Sequence, residues 1–160
     1  MQNKKKIIII ISILVCVISV VVLLFVSPFS SKRYDIESIE SQCIQYYENV
    51  GLRVMDFIDM TTLFGTNFDE LSDATFMSNI NINEEFNDNS MMIVVINNEN
   101  SSYYYDLFKS HIDSYLMYSE DVKLTKLYEN SILVKGNDYM YFIVGNDAKT
   151  IEKEINVFYK

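Results

Sequence analysis

Positions 7 to 26 form a run of twenty uncharged residues, broken only by Ser12, Cys16 and Ser19, and this run constrains the chain more than any other feature. A helix rises about 1.5 Å per residue, so the run matches the roughly 30 Å hydrocarbon core of a bilayer. A helix there would satisfy its own backbone, and the hydroxyls of Ser12 and Ser19 can bond back to preceding carbonyls. A secretory signal has a shorter apolar region of about 7–15 residues followed by small residues. Here the run is longer and the exit is Val26, Ser27, Pro28, Phe29 and Ser30. Lipid attachment at Cys16 calls for small residues before it, whereas Ile13, Leu14 and Val15 precede it. A helix apolar on every face could be buried only in a far larger protein. The expectation is a permanent signal anchor embedded in membrane lipid.

Lys4, Lys5 and Lys6 precede the run and Lys32 and Arg33 follow it, so the positive-inside rule places residues 1–6 in the cytoplasm. Residues 27–34 then form an exit linker, and 35–160 an extracytoplasmic domain. Five of the thirteen basic residues flank the run, leaving eight against 22 acids, a net charge of −14 beyond Arg33. Such a polyanion repels nucleic acid, which is excluded as a partner. Of two cysteines, Cys16 lies in the apolar run, so Cys43 has no disulfide partner within the domain.

Within the domain, Ile36, Ile39, Cys43, Tyr47 and Val50 recur at helical spacing and predict a helix over 35–49. The stripe suits packing on its own domain, or a short coiled coil continuing the membrane helix. A second helix is predicted over 55–64, stopped by Gly65. The Asn- and Asp-rich stretch 66–90 suggests a helical turn at 68–71 and an extended piece near 76–82. Residues 91–96, all apolar, read as a strand buried on both faces. A helix follows, capped at Asn100, Ser101 or Ser102 and reaching Ser119, with Tyr104, Leu107, Phe108 and Tyr115 inward. Strands 131–135 and 139–144 form a hairpin in which Gly136 and Asn137 tolerate positive φ. Asn146 or Asp147 caps a last helix with Ala148, Ile151, Ile155 and Phe158 on one side. The predicted class is α+β: a transmembrane helix, a helical segment, then a βαββα domain with a three-stranded sheet and helices on one face.

The segments MTTLFGTNFDEL, MMIVVI, SYYYDLFKSHIDSYLMY and SILVKGNDYMYFIVGNDAKTIEKEI resemble the bacterial family called domain of unknown function 4358, over residues 54–160. The resemblance implies an extracytoplasmic domain behind a lipoprotein signal or a single membrane helix. It brings no activity and no functional residues.

His111 is the lone histidine, which excludes sites needing two from one chain, and its place beside a helix's core face suits packing. Cys43 sits on an apolar stripe without a basic neighbour to hold a thiolate. Asp69, Glu70 and Asp73, and Glu84, Glu85 and Asp88, lack the alternation and turn glycine of a calcium loop and read as solvated faces. No pattern calls for a catalytic residue, a metal or a cofactor. Tyr103, Tyr105 and Tyr118 are the residues chosen as an interaction surface, since exposed tyrosine stacks on sugars and on protein partners. The leading expectation is a non-enzymatic membrane-tethered module that binds a protein or cell-envelope component. Its rivals are a carboxylate-dependent envelope hydrolase and an accessory subunit recognised through its membrane helix.

Overall fold

Strand β3 (Met92–Asn97) has every residue buried, which requires cover on both faces, because successive side chains of a strand point opposite ways. The structure, a computed structural model, describes residues 32–68, 71–80 and 87–160. Around β3 it assembles an antiparallel sheet in the order β1-β2-β3-β5-β4, with β1 at Arg53–Val54, β2 at Ala74–Ser78, β4 at Ile132–Lys135 and β5 at Tyr139–Val144. Met92 pairs with Val144 and Asn97 with Tyr139, while Ala74 pairs with Ile96 on the other flank.

Side-chain parity divides the core in two. Met92, Val94, Ile96, Met140, Phe142 and Val144 face three helices: α2 (Phe57–Phe64), α3 (Ser101–Tyr118) and α4 (Val122–Glu129). Ile93, Val95, Tyr141 and Ile143 face α1 (Ile36–Tyr46) and α5 (Ala148–Ile155). Each large side chain removed from water, such as Phe108 or Phe142, contributes about 1.5–3 kcal/mol. The expected α+β class holds. The sheet has five strands instead of three, and helices cover both of its faces instead of one. The physical reason is β3 itself, whose apolar run leaves no face for water.

Local chemistry sets the helix ends. Asp35 caps α1 by accepting from Ser38 N, Asp56 caps α2 by accepting from Asp59 N, and Asp121 caps α4 by accepting from Lys123 N and Leu124 N. Gly65 ends α2 at φ 64°, a conformation glycine adopts without a Cβ clash. The β4–β5 turn departs from expectation. Among the described residues positive φ occurs only at Gly51, Gly65 and Gly145, so neither Gly136 nor Asn137 supplies it. Glycine is needed at 136 for space, because a Cβ there would run into the Tyr139 ring. Ser101 Oγ donates to the carbonyls of Gly136 and Asn137, pinning the start of α3 to this hairpin.

The chain enters the domain beside this turn. Arg33 N donates to Lys160 O, Lys160 N donates back to Arg33 O, and Tyr34 bridges to Tyr159. Buried Asn97 completes the clasp. Its Oδ1 accepts from Tyr34 N at 3.0 Å and its Nδ2 donates to Tyr34 O at 2.8 Å, as a neighbouring backbone would. The anchor expected at 7–26, with Lys4, Lys5 and Lys6, lies outside the described residues. No helix among the described residues is long and apolar enough to cross a membrane.

Candidate functional site

At the last turns of α3 the chain doubles back into α4, and this corner holds three of the most exposed large apolar side chains among the described residues. Met117, Tyr118 and Val122 are 72, 78 and 81% exposed. Beneath them aromatic rings pack against one another. The Tyr115 ring stacks on Tyr128 of α4 at 4.4 Å and 15°, and His111 Nε2 lies 3.2 Å from Tyr128 Oη. Phe64 of α2 closes against His111 at 4.7 Å. Burial lowers the His111 pKa from 6.5, because a charged imidazole would lose water there without a counter-ion. Burial raises the Tyr128 phenol, which stays protonated and serves either tautomer of the imidazole.

Two grooves flank Tyr118. One, of about 340 Å³, is lined by His111, Ser114, Tyr115, Tyr118 and Ser119, none of them charged at neutral pH. The other, of about 430 Å³, runs past Asp106, Lys109, Ser110 and Asp113, and shares Ser114 and Tyr118 with the first. Lys109 and Asp113 pair across one helical turn at 2.6 Å.

A larger cleft of about 490 Å³ opens between α4 and the start of α5, where Asp88, Lys123, Lys126, Asp147 and Lys149 meet. Lys123 Nζ lies 2.9 Å from Asp88 Oδ2 and holds that carboxyl below its ordinary range. The shift opposes a role as proton donor, which needs a raised pKa. The cleft is a solvated mixture of both signs, and exposed pairs of this kind contribute little.

The residues chosen from sequence are dispersed. Tyr103, half exposed and edge-on to Tyr104, lies in the first turn of α3, and Tyr105 in that turn carries Lys135 Nζ over its ring at 5.1 Å. Tyr118 ends the helix about 22 Å away at the standard rise. It alone of the three joins the corner, and its partners there, Ser114 and Ser119, were not singled out from sequence. The spacing 111, 114, 115, 118 is a signal that could have found them, since it marks one helix face.

Cys43 is buried on α1, where desolvation, with Glu154 nearby, pushes its thiol up to about 12, an unreactive state. Asp73 lies 3.6 Å from Arg33, while Asp69, Glu70, Glu84 and Glu85 fall outside the described residues. Among the described residues no three His, Cys, Asp or Glu side chains converge as a metal site would require. Comparison of the chain with models of protein families, with characterised proteins and with solved structures gives no match.

Proposed function

We propose that this chain is a membrane-tethered extracytoplasmic module of the kind its resemblance to domain of unknown function 4358 implies, and that it binds a protein or envelope component without transforming it. The observation that carries the reading is the α3–α4 corner. Three of the four most exposed large apolar side chains among the described residues, Met117, Tyr118 and Val122, fall within six positions there. Large apolar side chains left this exposed within one short segment suit contact with a partner. The apolar run at 7–26 would hold the module at one surface and raise its local concentration.

The test is site-specific photocrosslinking on intact cells, with the full chain carrying the crosslinker at position 117, 122 or 46. Tyr46 is exposed on α1, on the other face of the sheet, and serves as the control. Discrete adducts are expected from 117 and 122 and not from 46. Equal labelling from all three positions, or no adduct from 117 and 122, overturns the reading.

A further inference from the structure

We propose that the paired grooves on either side of Tyr118 form a saccharide-binding site, in which an oligosaccharide crosses the Tyr118 ring with one sugar unit on each side. The proposal rests on the binding-module reading and names its ligand class.

Three properties of the corner select a polyol. Charged residues make up 22% of the chain, yet the groove formed by His111, Ser114, Tyr115, Tyr118 and Ser119 contains no Asp, Glu, Lys or Arg. An ionic ligand would lose water there without gaining a counter-ion. A wholly apolar ligand would strip water from the hydroxyls of Ser114 and Ser119 without replacing it, at a cost for each. A hexose ring answers both demands, because its C–H face stacks on an aromatic plane while its hydroxyls meet Ser114 and Ser119.

The second property is the division of labour among the rings. Tyr115 is already stacked on Tyr128, so its position is set before any ligand arrives. Tyr118 remains 78% exposed and offers its ring to solvent. A prearranged wall beside an open ring reduces the ordering cost of binding.

The third property lies across Tyr118, where Asp106, Ser110 and Asp113 supply oxygen acceptors for sugar hydroxyls and Lys109 supplies a donor. The two grooves, of about 340 and 430 Å³, are shallow and open to solvent, which suits successive units of an extended chain lying along the surface more than a large compact ligand. The geometry therefore favours oligosaccharides over monosaccharides.

The test uses the full chain in a detergent without a sugar headgroup. Cellotetraose, maltotetraose and chitotetraose, and their three monosaccharides, are titrated in turn while ring-labelled tyrosine resonances are followed by NMR. At least one tetrasaccharide should give a saturable shift of the Tyr118 signal, with the matching monosaccharide about tenfold weaker or worse. Tyr118→Ala should lose the response while Tyr103→Ala keeps it, both unfolding as the parent chain does. No saturable shift with any of the three tetrasaccharides, or a response unchanged in Tyr118→Ala, overturns the proposal. Because this assay needs neither tether nor partner, a negative result alongside specific crosslinks from 117 and 122 sinks the saccharide site alone. A glycan response without such crosslinks leaves the site and removes the cellular reading.

Discussion

Two groups of tyrosines sit at different places in this fold and are used in opposite ways. Where the chain enters the domain, the Tyr34 ring meets Tyr139 at 5.1 Å, Tyr141 at 5.8 Å and Tyr159 at 5.0 Å. Tyr34 donates its hydroxyl to Asn156 at 2.6 Å, and Tyr141 donates to Glu152 at 2.8 Å. Burial and the neighbouring Glu152 carboxylate push the Tyr141 phenol up to about 12, so these hydroxyls stay protonated as fixed donors. At the α3–α4 corner, Tyr115 and Tyr128 are likewise committed to each other, but Tyr118 is left facing water. Twelve tyrosines in a chain therefore do not announce a binding surface. What separates structural from available tyrosine is whether ring and hydroxyl already have partners within the chain.

The comparison breaks first at its two extremes. Tyr34→Ala would empty a buried site shared by three rings and strand Asn156, and should cost about 3–5 kcal/mol, as deletion of a large core side chain does. Tyr118→Ala should lie within about 0.5 kcal/mol of the parent, as surface substitutions usually do. Urea denaturation of the full chain in mild detergent measures both. Similar losses at the two positions would show that Tyr118 is part of the structural framework and that the division is false.

A smaller effect sharpens the account of the clasp. Asn97 holds Tyr34 through both of its amide atoms, so Asn97→Ala leaves the backbone N–H and carbonyl of Tyr34 without that partner in a buried place. A loss of about 1–3 kcal/mol is expected. Amide exchange at Tyr34 should quicken while that at Tyr115 does not change. If both sites respond equally, the two tyrosine groups belong to one cooperative unit and the local reading of the clasp fails.

Much of the fold was legible in the sequence, and the failures have physical causes. The β4–β5 hairpin and α5 were readable because their apolar periods are uninterrupted and short turns join them. Strand β2 was seen only as an extended piece near 76–82, because it lies in an Asn- and Asp-rich stretch whose composition signals turns. Strand β1, two residues long, is too short to show a period. Helix α4 was overlooked although Asp121 caps it and Leu124, Leu127 and Tyr128 fall at helical spacing. That omission also hid the site, since Tyr128 fixes Tyr115 and His111 from α4. No local pattern in α3 shows which of its tyrosines another helix will claim. The one-sided sheet was an error of consistency, because the sequence already marked 91–96 as buried on both faces.

The smallest effect concerns pH and tests whether the wall of the groove is as dry as the stacking implies. His111 is surrounded by Phe64 from α2, Tyr115 from its own helix and Tyr128 from α4, and burial is what lowers its pKa from 6.5. The unfolded chain therefore takes up this proton before the folded chain does, and stability falls as pH drops below about 6.5 toward the lower folded value. Above that window the contribution of the neutral ring is fully present. The partly exposed carboxyls of Asp35 and Asp88, both lowered from 3.8 by paired lysines, titrate well below it and leave the upper part of the window to His111. In His111→Gln the stability lost between pH 6.5 and 5 should shrink, with little change at pH 8, when urea midpoints are compared across that range. An unaltered slope would mean that water reaches the imidazole in the folded chain, and the Tyr115–His111 wall would then be a wet surface much like the ion-paired cleft beside Lys123.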